Sequence, residues 1–214
     1  MGKLLKGAAA VLGLLTAAEA GGTAYFYRRT MKRYNAKTER TMKMSGVDWE
    51  KYFPLMHERH DWMMEQPHED VWITSHDGLK LHGTYFEGDG GDKAVICFHG
   101  YTSQGTNDYG SLSYYYLNHG FRMLLIDERA HGESEGTYIG FGTMDRLDGM
   151  EWIKWMIDKI GDDAQILLHG NSMGGATVCM MSGLKLPPQV KGIVSDCAFT
   201  SAKDVFTHVL HSMY

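Results

Sequence analysis

Chemistry in this chain is best placed around Ser172. Gly170, Asn171, Ser172, Met173 and Gly174 form a Gly-x-Ser-x-Gly turn, preceded by an apolar run at 166–168 and followed by Gly175 and Ala176. Strand, sharp turn and small-residue helix make the setting in which a serine hydroxyl is lifted above a sheet edge as a nucleophile. Glycine is needed at 170 and 174 if strand and helix approach so closely that side chains would collide. A bare Gly-x-Ser-x-Gly also recurs in ordinary glycine-rich turns, so the flanking strand and helix carry the nucleophile reading. The helix is expected to begin at about Gly175.

The elements that must hold Ser172 show in the hydrophobic pattern. Residues 71–75 and 79–83 alternate on either side of Asp77 and Gly78, the signature of a hairpin. Residues 94–98 and 121–126 are continuous apolar runs, as central strands covered on both faces require. Helical patterns at 107–117 and 143–160 lie between the strands, and a further strand at 190–194 leads into a helix from 203. Strand–helix alternation after an antiparallel entry hairpin predicts an α/β fold with a three-layer, mostly parallel sheet. Ligands in such sheets bind at the carboxyl ends of the strands. His99, Asp127, Ser172 and Asp196 all fall at such ends.

Composition bounds the answer. A chain of 214 residues can bury one substantial core. A net charge of -5 gives no sign of nucleic-acid binding. Cys97, Cys179 and Cys197 sit in apolar contexts without metal-ligand spacing, and read as buried free thiols. No metal or cofactor is expected.

Residues 1–27 form a unit of their own. Lys3 and Lys6 precede an apolar stretch that ends in Tyr25, Phe26 and Tyr27, and Arg28, Arg29, Lys32 and Arg33 follow. A membrane anchor fits the apolar length, the aromatic edge and the basic flank. A cleavable signal peptide fits the small residues around Glu19, and a surface-lying helix is the third reading. The anchor is preferred, with the main domain on the cytoplasmic side of the cell membrane because the basic cluster follows the apolar stretch. A secreted protein is the alternative. Residues 28–67 read as a helical linker or stalk, basic at 28–43, with a second helix at 48–64. Residues 68–214 form the core.

Three segments together resemble the serine α/β-hydrolase superfamily, in particular its bacterial membrane-anchored or peptidase-like hydrolases. They are His99, Gly100, Tyr101 and Thr102; the run from Asp127 to Ser134; and Gly170 to Gly175. The first looks like the family's oxyanion loop, the second like its Asp-x-Arg-Gly-His-Gly-x-Ser loop, the third like its nucleophile elbow. The resemblance implies two-step acyl transfer, with Ser172 as nucleophile and the backbone N–H groups of Tyr101 and Met173 as oxyanion donors. His99, Gly100, Asp127, His131, Gly170, Gly174 and Asp196 are implied structural or pocket residues. Ala130 departs from the family's usual glycine.

Length is the larger departure. The family's domain continues past this point, and its triad acid and histidine come from that continuation. The core is therefore expected to be truncated after its sixth strand, with an exposed sheet edge open to self-association. Asp196, His99, His131, His208 and His211 are poor substitutes for the triad partners. Cleavage of small or medium carboxylic esters is the leading expectation. A prolyl-aminopeptidase type of peptidase or amidase, or a catalytically silent fragment, are the alternatives.

Overall fold

The computed structural model of the chain describes residues 2–33, 48 and 50–213. Residues 34–47, most of the basic segment expected as a stalk, lie outside the described residues, as do the side chains of His208 and His211.

Helix α1 (Gly2–Met31) comes first, then α2 (Phe53–Glu65), with a proline in its first turn. There proline costs nothing, because its missing N–H would have had no partner. The sheet strands are β1 (His68–Thr74), β2 (Lys80–Phe86), β3 (Lys93–Phe98), β4 (Arg122–Ile126), β5 (Gln165–Asn171) and β6 (Val190–Asp196). Between and after them run α3 (Gly105–Asn118), α4 (Asp145–Ile160), α5 (Met173–Met181) and α6 (Ala202–Met213). The spatial order is β1-β2-β4-β3-β5-β6. β1, β2 and β4 pair antiparallel, while β4, β3, β5 and β6 run parallel, as the alternation of strands and helices predicts.

Period-2 alternation splits the core into two faces. On one, Ile96, Phe98, Leu124, Ile126, Ile166 and Leu168 meet Trp152 and Met156 of α4 and Val178 and Met181 of α5. On the other, Val95, Cys97, Met123 and Leu125 meet Met63 of α2 and Tyr109 and Tyr116 of α3. Helices therefore cover both faces of the sheet. Neighbouring side chains of one strand point to opposite faces, so a continuous apolar run such as Val95–Phe98 feeds both layers at once.

The parallel register decides where chemistry can gather. Phe98 lies beside Ile126 and beside Gly170, and Asn171 lies beside Asp196. The residues following these four strands thus emerge together at one end of the sheet.

Two expectations need correcting. α5 begins at Met173, two residues before the expected Gly175, because Ser172 itself occupies the N-cap. Cys179 and Cys197 are exposed, and only Cys97 is buried. Among the described residues, β6 is an edge strand.

Candidate active site

The turn after β5 is built by contacts that admit no side chains. A Cβ at Gly170 would stand 2.1 Å from the Gly174 carbonyl oxygen, and one at Gly174 would stand 2.0 Å from that of Phe98. Gly174 N–H donates to His99 O at 3.0 Å, which fastens the start of α5 to the end of β3. Ser172 N–H donates to Asp196 O at 2.8 Å, which fastens the turn to β6. Held at both sides, Ser172 adopts φ 53° and ψ -106°. Such a backbone costs a non-glycine residue about 1–3 kcal/mol and persists only where its surroundings enforce it. Met173 opens α5, so its N–H belongs to the first turn, whose donors find no acceptor within the helix.

The loop after β3 lies against this turn. A Cβ at Gly100 would sit 3.5 Å from that of Ser172. Asp108, in the first turn of α3, holds the two loops together. Its carboxylate accepts from Gly100 N–H at 2.6 Å, from Asn171 Nδ2 at 3.1 Å and from the Ser103 hydroxyl. Sequence reasoning missed Asp108, because an acid in a helix's first turn already has an ordinary explanation in the helix dipole. Tyr109 was missed as well. Its hydroxyl lies 3.0 Å from Phe98 O and 2.8 Å from His169 O, bridging the ends of β3 and β5.

Neither histidine of the site loops can serve Ser172 as a base. His99 Nε2 accepts the Glu128 N–H at 3.0 Å, which leaves the ring proton on Nδ1, 2.7 Å from Gly100 O. His131 Nε2 accepts the Thr102 N–H at 3.1 Å, and its Nδ1–H faces Arg129 O at 3.0 Å. Both rings are saturated. Burial pushes both below the ordinary histidine value, His131 to about 3, so they stay neutral. Among the described residues, no side chain hydrogen-bonds the Ser172 hydroxyl.

Asp127 organises the loop after β4. Its carboxylate takes His82 Nδ1 at 2.8 Å and the Glu133 N–H at 3.0 Å. Burial would raise its pKa, but these partners outweigh that and lower it. Gly132, at φ 46°, passes so close that a Cβ would stand 2.1 Å from Asp127 Oδ2. Ala130 takes φ 62°, which explains the family's usual glycine and costs alanine roughly 1 kcal/mol. Its buried methyl offsets part of that by joining Met173 and Phe141 in a small apolar cluster. Asp196 contributes through its backbone carbonyl, while its side chain is exposed.

Glu128 reaches the other way. It is buried, its Oε1 accepts the Thr177 hydroxyl of α5 at 3.0 Å, and burial beside Asp145 pushes its carboxyl well above the ordinary carboxylate range. His76, Asp77 and Asp148 cluster closely enough to suit a cation. The Arg129 guanidinium already fills that role, bonding Asp148 at 2.7 Å and Asp77 at 3.0 Å.

Known proteins agree with this architecture. The profile of the alpha/beta hydrolase fold family matches residues 93–213. The uncharacterized protein YqkD of Bacillus subtilis (strain 168) is 26% identical over 144 residues, which is 66% of this chain and 46% of that protein. The esterase Pf2001 of Pyrococcus furiosus is similar in structure. One crystal form gives 31% identity and a TM-score of 0.56, over 64% of this chain and 52% of the esterase. Another gives 28% identity and a TM-score of 0.62, over 71% and 60%. An esterase from Exiguobacterium antarcticum shares the fold at 20% identity and a TM-score of 0.53, over 67% and 55%. The chain spans about half the length of these relatives. The family match runs over more than half of the chain and takes in the turn at Ser172: this chain belongs to the alpha/beta hydrolase fold family.

Proposed function

We propose that the chain is a serine hydrolase core that cleaves carboxylic esters, with Ser172 as its nucleophile. The observation that carries this reading is the backbone of Ser172. A strained φ of 53° is maintained by Gly170, Gly174 and the neighbouring strands. Ser172 Oγ attacks the ester carbonyl, the alcohol leaves, and water releases the acyl group. The N–H groups of Met173 and Tyr101 receive the oxyanion. Similarity to an esterase of Pyrococcus furiosus favours esters over peptides. Gly170, Gly174, Gly100, Asp127, His99 and His131 hold the loops, and Asp196 holds the turn through its carbonyl.

A catalytically silent chain is the second reading, and the unpartnered Ser172 hydroxyl favours it. A serine without an adjacent base is a weak nucleophile. A fluorophosphonate probe separates the two. The 214-residue chain is expected to label slowly at Ser172 and its Ser172→Ala variant not at all. Equal labelling of both would sink the nucleophile assignment. Faster release of p-nitroaniline from an aminoacyl amide than of p-nitrophenol from its acetate would turn the substrate class from esters to amides.

We also read α1 as a membrane anchor, with the core on the cytoplasmic side. Ala9–Met31 is long and apolar enough to cross a bilayer, and none of it is buried in protein. Val11, Leu12, Leu14 and Leu15 are each more than half exposed. The basic residues after Tyr27 supply the orientation. The open edge of β6 is the surface through which two copies would pair.

A further inference from the structure

The anchor helix ends inside the hydrolase domain. Thr30 O accepts the Tyr101 hydroxyl at 2.9 Å, and Met31 O accepts the Ile139 N–H at 2.8 Å. Lys32 forms an antiparallel bridge with Tyr138, and Arg33 N–H donates to Thr137 O at 2.9 Å. The Arg33 guanidinium donates to the carbonyls of Gly132 and Ser134, in the loop that Asp127 organises. The last turn of the span thus touches the fold directly.

That connection fixes where the site sits. Ala9–Met31 is 23 residues, about 35 Å at a helical rise of ~1.5 Å. A bilayer's hydrocarbon core is about 30 Å thick, so Met31 arrives at head-group level with Arg28, Arg29 and Lys32 around it. Met31 packs on the cluster of Ala130, Ile139, Phe141 and Met173, to which Tyr101 and Phe206 also belong. Tyr101 and Met173 are the two oxyanion donors of the proposed reaction. The last residue of the span therefore packs on the same apolar cluster as Met173, the residue next to Ser172.

The rim at that point is aromatic. Tyr101 stacks on Phe141 at 5.4 Å between ring centroids, and Phe206 stands edge-on to both, at 6.2 and 5.2 Å. Tyr101 and Phe206 are only half-buried. An apolar, partly open rim continuous with a membrane span is matched by an acyl chain, and a bilayer supplies acyl chains at its own surface.

We propose that the Tyr101–Phe141–Phe206 rim receives the acyl chain of a membrane lipid ester, delivered sideways from the bilayer to Ser172. This rests on the serine-hydrolase reading and on α1 as the anchor. The Ser172 Oγ–acyl bond forms as the ester C–O bond breaks, and the hydroxyl proton leaves with the alcohol. Water then takes the acyl group, which departs as a carboxylic acid, and the serine hydroxyl is restored.

The test uses the full chain in phosphatidylcholine vesicles carrying a lipid with a diazirine in its acyl chain. After irradiation, adducts mapped by mass spectrometry are expected on α1 and also on Tyr101, Phe141 or Phe206. Exposed Tyr115, toward the far end of α3, stays unlabelled. Arg33→Ala loosens the junction and loses the rim adducts while keeping those on α1. Adducts confined to α1 in the wild type overturn the proposal. Photolabelling needs no turnover, so rim adducts without fluorophosphonate labelling of Ser172 would fault the hydrolase reading and leave the lipid site standing. A long-chain fluorophosphonate dissolved in the same vesicles is expected to label Ser172 faster than a short, water-soluble one. Equal or slower labelling overturns the choice of substrate.

Discussion

Two loops leave parallel strands on either side of β3 at the same end of the sheet, and they are built on opposite terms. In the loop from Asp127 to Ser134, most polar groups are paired, with Glu128 Oε2 buried and lacking a partner among the described residues. Asp127 bonds His82 and Glu133, Ser134 bonds Asp127 O and the His82 N–H, and His131 bonds Thr102 and Arg129. In the turn from Gly170 to Gly175 the backbone is fastened at every side, yet the Ser172 hydroxyl has no partner among the described residues. Both loops contain positive-φ residues and both crowd glycine against neighbouring atoms. The difference lies in what is left over. Paired polar groups hold shape, whereas Ser172 is held by its backbone, with no side chain to activate its hydroxyl among the described residues.

The sharpest way to break that contrast is Asp127→Ala. It strands the buried His82 Nδ1 and removes the acceptor of the part-buried Glu133 N–H, and is expected to cost roughly 3–5 kcal/mol in urea unfolding. A loss under ~1 kcal/mol would mean that the loop is not held as argued. Ser172→Gly probes the other loop with the opposite sign. Glycine tolerates φ 53°, so relief of strain less the extra chain entropy should raise stability by about 1 kcal/mol, while fluorophosphonate labelling disappears. A destabilised variant would show that the serine side chain contributes packing.

The smallest effect concerns pH. Burial alone would lower the His82 pKa, but its bonds to Asp127 and Asp70 outweigh that and raise it above 6.5. A histidine raised in the folded state adds stability below its unfolded value, and that share is lost as pH rises through the folded value. The stability difference between wild type and His82→Gln should therefore shrink as pH climbs past 6.5. A difference that stays flat from pH 5 to 9 would remove His82 from the account.

Much of this was legible in the sequence, for local reasons. The apolar runs at 94–98 and 121–126 could only be covered strands, and the Asp77–Gly78 pair could only turn a hairpin. The motif at 170–174 located the elbow, though α5 starts earlier than its small residues implied, because Ser172 caps it. What stayed hidden depends on partners distant in sequence. Asp108 looks like a helix-dipole acid until the fold brings Gly100 and Asn171 to it. Cys197 looks buried until β6 proves to be an edge.

The sequence by itself determined which strands and helices form, at which end of the sheet His99, Asp127, Ser172 and Asp196 gather, and that a serine stands on a glycine-flanked turn. Those follow from side-chain period and from the steric needs of glycine, which are properties of short segments. Only the tertiary structure decided that His99 and His131 are spent on backbone groups, that Asp108 ties two loops, and that Thr30 to Arg33 dock beside Tyr101 and Ile139. Each of these joins residues far apart in the chain, and hydrogen-bond saturation is a property of the assembled neighbourhood rather than of any segment in it.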